Sequence, residues 1–282
     1  MKVREFYDFA RKSLPLVDEK EVKNEANILL QFCLNLDFTG LFLQRERILT
    51  VKEFKFLENA ISLRESGVPV QYILGSWEFM NMDLKVGEGV LIPREDTAVL
   101  VETVVKNANS SKRFNLIDLC SGTGCVALAL EKNLKDFNHI YALEYSEKAF
   151  EYLNENIKNL KSNVKAIKGN IFEDYKLFED DYFDYIVSNP PYIKTEDVKT
   201  LDREVLHEPE MALDGGETGL DFYLGICKLW ARKIKSGGIL AFEIGQGMHD
   251  DVAEIMKNSG FEKTSFSKDI NGIIRCVMGL KK

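Results

Sequence analysis

Prolines are sparse in this sequence, six in 282 residues, and no apolar run approaches the roughly 18 residues needed to cross a membrane. With 45% hydrophobic residues, the chain is not a largely disordered one. With a mean hydropathy of −0.18 it is not a multi-span membrane protein, and no membrane partner is expected. The stretch Met1-Lys2-Val3-Arg4-Glu5 has none of the apolar character of a secretory signal, so a cytoplasmic location is expected. Five cysteines (Cys33, Cys120, Cys125, Cys227, Cys276) are odd in number and show no C-x-x-C spacing, which argues against a disulfide framework or a zinc site. The three histidines, His139, His207 and His249, lie far apart in the chain, and no metal is expected. A basic excess is missing too. There are 37 Lys+Arg against 45 Asp+Glu, a net charge of −8, whereas nucleic-acid binding normally needs a basic face. Direct nucleic-acid binding is therefore not expected, although a local basic patch stays open.

What is present points to two unequal domains. Residues 1–75 hold eleven Lys+Arg and eleven Asp+Glu, so the acidity falls on residues 76–282. The first part reads as helices. Val3, Phe6, Tyr7, Ala10 and Leu14 follow one helical stripe. Val22, Ala26, Leu29, Leu30 and Cys33 follow a second, opened by Asp18. Thr50 with Glu53 matches a capping box for a third helix that reaches about Ser66 and stops at Gly67. Such a bundle either docks a macromolecular partner or merely packs on the rest of the chain. Residues 67–75 read as a junction.

Residues 76–108 read as a lead-in with strands at Trp77–Met80, Met82–Val86 and Val90–Ile92, then a helix over about Asp96–Asn107 and a loop at Asn109-Ser110-Ser111. Over 114–282 strands and helices alternate. Strands are expected at Phe114–Leu119, His139–Leu143, Val164–Lys168, Phe183–Ser188 and Ile239–Ile244. Helices are expected at Cys125–Lys132, Ser146–Asn159, Asp221–Ile234 and Asp250–Asn258, with Ser236-Gly237-Gly238 ending the third. Asn271-Gly272 predicts a terminal antiparallel hairpin. The fold class is α/β, a mostly parallel sheet with helices on both faces.

Ligands of such sheets bind at the carboxyl ends of strands, and three strand ends carry unusual residues. Asp118-Leu119-Cys120-Ser121-Gly122-Thr123-Gly124-Cys125 is a glycine turn leading into a helix whose first N–H groups are free. Gly122-x-Gly124-x-x-Ala127 meets the loose dinucleotide fingerprint, though a simple tight turn would also explain it. Glu144, about 20 residues on, can accept hydrogen bonds from ribose hydroxyls, or it can simply favour a helix start. Together they suit an adenosine-containing cofactor, without choosing nicotinamide dinucleotide over S-adenosylmethionine. The third strand end is Ser188-Asn189-Pro190-Pro191-Tyr192. Two prolines remove two donors, leaving the Asn189 side-chain oxygen and the Pro190 carbonyl as acceptors beside the flat ring of Tyr192. Two acceptors suit an NH₂ group with two hydrogens to give, and they stabilise positive charge as that nitrogen attacks a methyl.

On these residues the sequence resembles the HemK/PrmC family, the glutamine-amide methyltransferases of peptide chain release factors. The glycine loop matches Asp118–Cys125, the acidic ribose residue falls on Glu144, and the N-P-P-Y motif falls on Asn189–Tyr192. Also similar are Pro69-Val70-Gln71-Tyr72-Ile73-Leu74-Gly75, Leu91-Ile92-Pro93-Arg94, Glu208-Pro209, Ala212-Leu213-Asp214-Gly215-Gly216 and Gly219-Leu220-Asp221. The resemblance runs from about residue 69 to the C-terminus. Departures are Glu95 where proline is usual, Cys120 where a third loop glycine is common, and Glu144 where aspartate is usual.

The resemblance implies a Rossmann-like S-adenosylmethionine methyltransferase sheet with a C-terminal antiparallel hairpin, preceded by a small all-α domain. It implies methylation of the side-chain nitrogen of the glutamine in the Gly-Gly-Gln motif of class 1 release factors. Asn189 and Pro190 would hold that nitrogen, and Pro191 and Tyr192 would shape the slot. The cofactor would meet Asp118, Cys120, Ser121, Gly122, Thr123, Gly124, Glu144, Asn170, Ile171 and Asn189, with Arg94 and Thr97 nearby. Alternatives are an amino methyltransferase of DNA or RNA bases, a methyltransferase of ribosomal protein glutamine, a non-catalytic cofactor-binding regulator, and a nicotinamide oxidoreductase. The last leaves N-P-P-Y unexplained, and the regulator leaves Asn189 unexplained.

Overall fold

A computed structural model describes residues 1–14, 18–108 and 113–282. The loop expected at Asn109-Ser110-Ser111 lies outside them. The chain forms two compact units, residues 1–76 with 202–207, and residues 77–201 with 208–282.

The first unit contains α1 (Val3–Ser13), α2 (Glu19–Leu34), α3 (Phe38–Leu43), α4 (Val51–Glu65) and α5 (Val70–Leu74). The stripes expected on α1 and α2 are its core, with Val3, Phe6, Ala10, Val22, Ala26, Leu29 and Leu30 all buried. The capping box of α4 forms. Thr50 N–H donates to Glu53 Oε2 at 2.8 Å, and Glu53 N–H donates to Thr50 Oγ1 at 3.3 Å. Arg64 of α4 is buried. Its Nε donates to Glu25 of α2 at 2.9 Å, its second side is held by Glu204, and it also donates to the Val68 carbonyl at 2.6 Å. Two helices were not expected. Asp37 caps α3 by accepting from Gly40 N–H at 2.7 Å. Short α5 lies within the junction, started by Pro69 and stopped by Gly75 at φ +70°.

The second unit opens with the paired strands β1 (Ser76–Phe79) and β2 (Met82–Lys85), followed by α6 (Ala98–Asn107). Then come β3 (Phe114–Leu119), α7 (Cys125–Asn133), β4 (Phe137–Glu144), α8 (Glu147–Asn159), β5 (Lys165–Lys168), β6 (Phe183–Ser188) and the single turn α9 (Thr195–Val198). The chain finishes with α10 (Asp221–Trp230), β7 (Ile234–Glu243), α11 (His249–Asn258), β8 (Phe261–Lys268) and β9 (Ile274–Lys281). Seven strands form one sheet in the order β5-β4-β3-β6-β7-β9-β8. Strands β3 to β7 run parallel to one another, and β9 runs antiparallel to β7 and β8. This is a Rossmann-like sheet with the expected terminal hairpin.

Successive strand residues point to opposite faces, so each face builds its own core. Leu116, Val187 and Ala241 pack under α6 and α7, while Ile117, Ile186 and Leu240 pack against Trp230 and Tyr223 of α10. Strand order reverses between β3 and β6, the place where such sheets open a binding crevice. Register brings Leu119, Leu143, Ser188 and Phe242 side by side at that edge.

Two expected elements differ. Val90–Ile92 is not a strand but a loop. Its apolar run imitates a strand, but Gly89 at φ +99° turns the chain, and Ile92 N–H is satisfied by the Glu208 carboxylate at 3.0 Å. The helix expected over Asp221–Ile234 stops at Trp230. Ile234 already begins β7, and Ser236-Gly237-Gly238 lies inside that strand. There the pairing with β6 slips, Phe183 facing Ile234 but Tyr185 facing Ile239. Gly237 takes φ +76°, and a Cβ on Gly238 would come within 2.9 Å of the Asp184 carbonyl, so the glycines make a bulge rather than a stop.

Candidate active site

A cavity of about 460 Å³ opens at the carboxyl ends of β3, β4, β5 and β6. After β3 the chain must turn sharply toward α7. Cys120 at φ +60°, Gly122 at +55° and Gly124 at +83° make that turn. Cys120 thus occupies a left-handed conformation that suits glycine. A Cβ on Gly122 would meet only a Val90 methyl at 3.9 Å, so the backbone is open to the cavity. A Cβ on Gly124 would strike Leu153 of α8 at 2.4 Å. Gly124 does not line the cavity; its smallness lets α8 pack against the turn.

The loop carries unspent polar groups. Asp118 Oδ2 accepts from Ala127 N–H at 3.3 Å, while Asp118 Oδ1 and Thr123 Oγ1 are buried without a partner among the described residues. Burial pushes the Asp118 carboxyl up to about 8. Glu144, ending β4, holds the turn shut by accepting from Gly122 N–H at 2.8 Å and from Ser146 N–H at 2.6 Å. Burial raises its pKa against those two backbone donors. Beyond β5, Asn170 folds its side chain onto Phe172 N–H at 2.9 Å, and the Ile171 carbonyl is held by Trp230 Nε1–H at 2.8 Å. Ile171, Phe172 and Phe222 line the cavity as an apolar wall, with Phe172 and Phe222 ring centres 5.5 Å apart.

At the end of β6, Asn189 lines the same cavity. Its Nδ2–H donates to Thr97 Oγ1 at 3.3 Å, which leaves Oδ1 as an acceptor without a partner among the described residues. The turn that follows is seated on glycines. A Cβ on Gly215 would lie 2.6 Å from Tyr192 Cα and 2.8 Å from the Pro191 carbonyl, and one on Gly219 would lie 2.4 Å from the Tyr192 carbonyl. Ile193 N–H donates to the Leu213 carbonyl at 2.9 Å, and Gly215 N–H returns a bond to the Ile193 carbonyl at 2.7 Å. The Ala212–Gly216 and Gly219 segments are therefore the bed of the Asn189–Tyr192 turn. Glu208 likewise ties a second pair of segments. It accepts from Ile92 N–H and pairs with Arg94, joining Glu208-Pro209 to the Leu91–Arg94 stretch.

Of the residues singled out in the sequence, the cavity gathers Arg94, Thr97, Asp118, Cys120, Ser121, Gly122, Thr123, Glu144, Asn170, Ile171, Asn189 and Pro191. Gly124, Pro190 and Tyr192 do not line it. Tyr192 packs its ring over Gly245 instead, where a Cβ would be 3.1 Å away. Sequence reasoning missed Phe172, Phe222 and Met211 as lining residues. The aromatics adjoin β5 and α10, but nothing in their spacing announces a shared wall.

A carboxylate beside an exposed glycine turn, orphaned buried oxygens and an apolar wall fit the ribose, amino acid and adenine parts of one nucleoside cofactor. On this sheet, with an acceptor amide at the next strand end, they define an S-adenosylmethionine-dependent methyltransferase. Residues 95–218 match the methyltransferase small domain and residues 5–75 the PrmC N-terminal domain. The release factor glutamine methyltransferase of Thermodesulfovibrio yellowstonii is 38% identical over 92% of this chain and 92% of its own. That of Geobacter sulfurreducens is 35% identical over 98% and 96%. A crystal structure of a methyltransferase from Pyrococcus furiosus shares the fold, with a TM-score of 0.53 at 15% identity over 82% of this chain and 99% of that one. The chain belongs to the release factor glutamine methyltransferase family.

Proposed function

We propose that this protein methylates the side-chain amide nitrogen of the Gly-Gly-Gln glutamine of class 1 release factors, in the cytoplasm. The observation that carries the reading is the Asn189 amide. Its NH₂ is engaged by Thr97 at 3.3 Å, so its oxygen is the group offered to the cavity. An amide substrate brings two N–H donors; Asn189 Oδ1 accepts one in the cavity, and the carbonyl of the adjoining Pro190, which itself stands outside the cavity lining, is the proposed acceptor of the other. The amide lone pair is delocalised, so the nitrogen is a weak nucleophile. S-adenosylmethionine, when bound, supplies a methyl activated by its sulfonium. As that nitrogen gains a bond to the methyl carbon and the carbon–sulfur bond breaks to leave S-adenosylhomocysteine, the two acceptors stabilise the positive charge, and one N–H proton is then lost to solvent. Glu144 would hold the ribose hydroxyls, Gly122 would let the backbone approach, and Ile171 with Phe172 would flank the adenine. Much of the catalysis is positioning.

The N-terminal unit docks the release factor in this reading. Phe38 and Phe42 of α3 are 63% and 64% exposed, and a lone glutamine loop gives the clamp little surface to grip. Specific protein partners need about 800 Å² per side. The deciding experiment transfers labelled methyl from S-adenosylmethionine to release factor, tRNA and duplex DNA side by side. Label in the release factor alone is expected. Label in either nucleic acid without the release factor would replace the protein glutamine with a base amine.

A further inference from the structure

The buried residues of α8 are Ala149, Leu153 and Asn156, spaced as one helical stripe. The first two are apolar. Asn156 is 0% exposed, and the reaction as derived above does not use it. A buried amide is costly unless its polar atoms are bonded. Here they are. Asn156 Oδ1 accepts from Lys85 N–H at 2.6 Å, and Nδ2 donates to the Lys85 carbonyl at 3.1 Å and to the Thr123 carbonyl at 3.0 Å. The same three bonds fix which way the amide points. Turned over, it would set its NH₂ against the Lys85 N–H and its oxygen against the Thr123 carbonyl.

These bonds reach two stretches on the cavity. Lys85 ends β2 and leads into Val86–Val90, of which Gly89 and Val90 line the cavity. This stretch is packed on α8. A Cβ on Gly87 would strike the Tyr152 hydroxyl, and one on Gly89 the Lys148 side chain. Thr123 belongs to the glycine turn and lines the same cavity. The nearest neighbour of a Cβ on Gly122 would be the Val90 methyl, so turn and stretch stand opposite each other. Asn156 itself does not line the cavity, yet it holds both. A fastening of β2 to α8 alone would need only the two Lys85 bonds, and the third goes to the turn. We propose that Asn156 is a positioning residue for S-adenosylmethionine, which sets the gap between Val90 and the Gly122–Thr123 turn. Without it the two stretches are no longer tied, and binding has to order them first, which weakens affinity. The inference rests on the reading that this cavity holds the cofactor.

The test uses the full chain with Asn156→Ala, with Asn156→Leu, which fills the space without polar atoms, and with Met256→Ala, a core truncation in α11 outside the cavity lining. Cofactor binding is read by calorimetry, stability by thermal midpoint and turnover with release factor. Both Asn156 variants are expected to raise Kd and KM for S-adenosylmethionine about tenfold or more at full stoichiometry, with kcat at saturating cofactor within about threefold. Met256→Ala should lower the thermal midpoint and leave Kd unchanged. Kd within about twofold of the unsubstituted protein, a loss seen only as reduced stoichiometry, or an equal rise in Met256→Ala would overturn the inference. A second measurement needs no variant. A ligand that binds only the fastened form protects the bonds that must open to release it, so saturating cofactor is expected to slow exchange of the Lys85 amide hydrogen about tenfold or more. Unchanged exchange there would overturn the inference even if no Asn156 variant folds. If the unsubstituted protein binds no S-adenosylmethionine, the cofactor reading is wrong and the inference falls with it. If it binds, and Glu144→Ala weakens binding while both Asn156 variants bind normally, this inference alone fails.

Discussion

At the scale of single residues, the two carboxyl ends that face the cavity divide the work between acceptor and cofactor, and substitutions separate them. Asn189→Ala removes a transition-state acceptor, a loss of about 2.7–4 kcal/mol or roughly 10²–10³ in kcat. Its turnover should collapse while calorimetric S-adenosylmethionine binding stays near normal. Glu144→Ala should do the opposite. Glu144 is only 8% exposed and braces Gly122 and Ser146 through their N–H groups. Losing its charge-assisted bonds costs about 1.5–3 kcal/mol of cofactor affinity. Saturating cofactor should bring back most of the rate, and a persistent deficit would give Glu144 a different part to play. Cys120 shows how a departure from a family pattern is absorbed. It keeps the left-handed turn at φ +60° with a side chain in place of glycine.

At the scale of elements, the turn after β6 depends on a segment more than twenty residues away. Gly215→Ala would place a Cβ 2.6 Å from the Tyr192 backbone, where no flexible side chain can yield. Overpacking of that kind costs about 1–3 kcal/mol. Denaturant unfolding should register the loss, and kcat should fall with it because Asn189 is carried on the displaced turn. The elements that were legible in the sequence are those with an unambiguous pattern. β3 and β6 begin and end as read, because Phe114–Leu119 and Phe183–Ser188 are short, largely apolar strands bounded by loops. The loop at Val90–Ile92 carries the same pattern and is not a strand. Only the fold reveals that Glu208, 116 residues further on, meets its backbone N–H instead of a neighbouring strand. The site was legible where its chemistry lies in contiguous motifs, at Asp118–Gly122, Glu144 and Asn189. It was illegible where single residues converge from distant elements, as Phe172, Phe222 and Met211 do.

At the scale of the whole molecule, buried acids set the pH response. Burial holds the carboxyls of Asp118 and Glu243 up to about 8 and about 7, against roughly 4 in an unfolded chain. The folded chain therefore binds more protons than the unfolded one in that window. The stability these groups contribute is complete below the unfolded value and is lost as pH rises through about 7 and about 8. The thermal midpoint should fall from about pH 6 to about pH 9, and fall less in Asp118→Asn, when followed by calorimetry. The docking role of the N-terminal unit is open to a separate measurement. Phe38→Ser with Phe42→Ser changes two exposed side chains and should slow methylation of intact release factor while leaving a short Gly-Gly-Gln peptide unaffected. Equal effects on both substrates would remove the docking role. The central claim concerns one atom, the side-chain nitrogen of a glutamine, and mass spectrometry of the reacted release factor tests it most directly. Fragmentation is expected to place a single methyl on the Gly-Gly-Gln glutamine and none on a release factor with that glutamine changed to alanine. A methyl on any other residue, or one that persists after that change, would contradict the account.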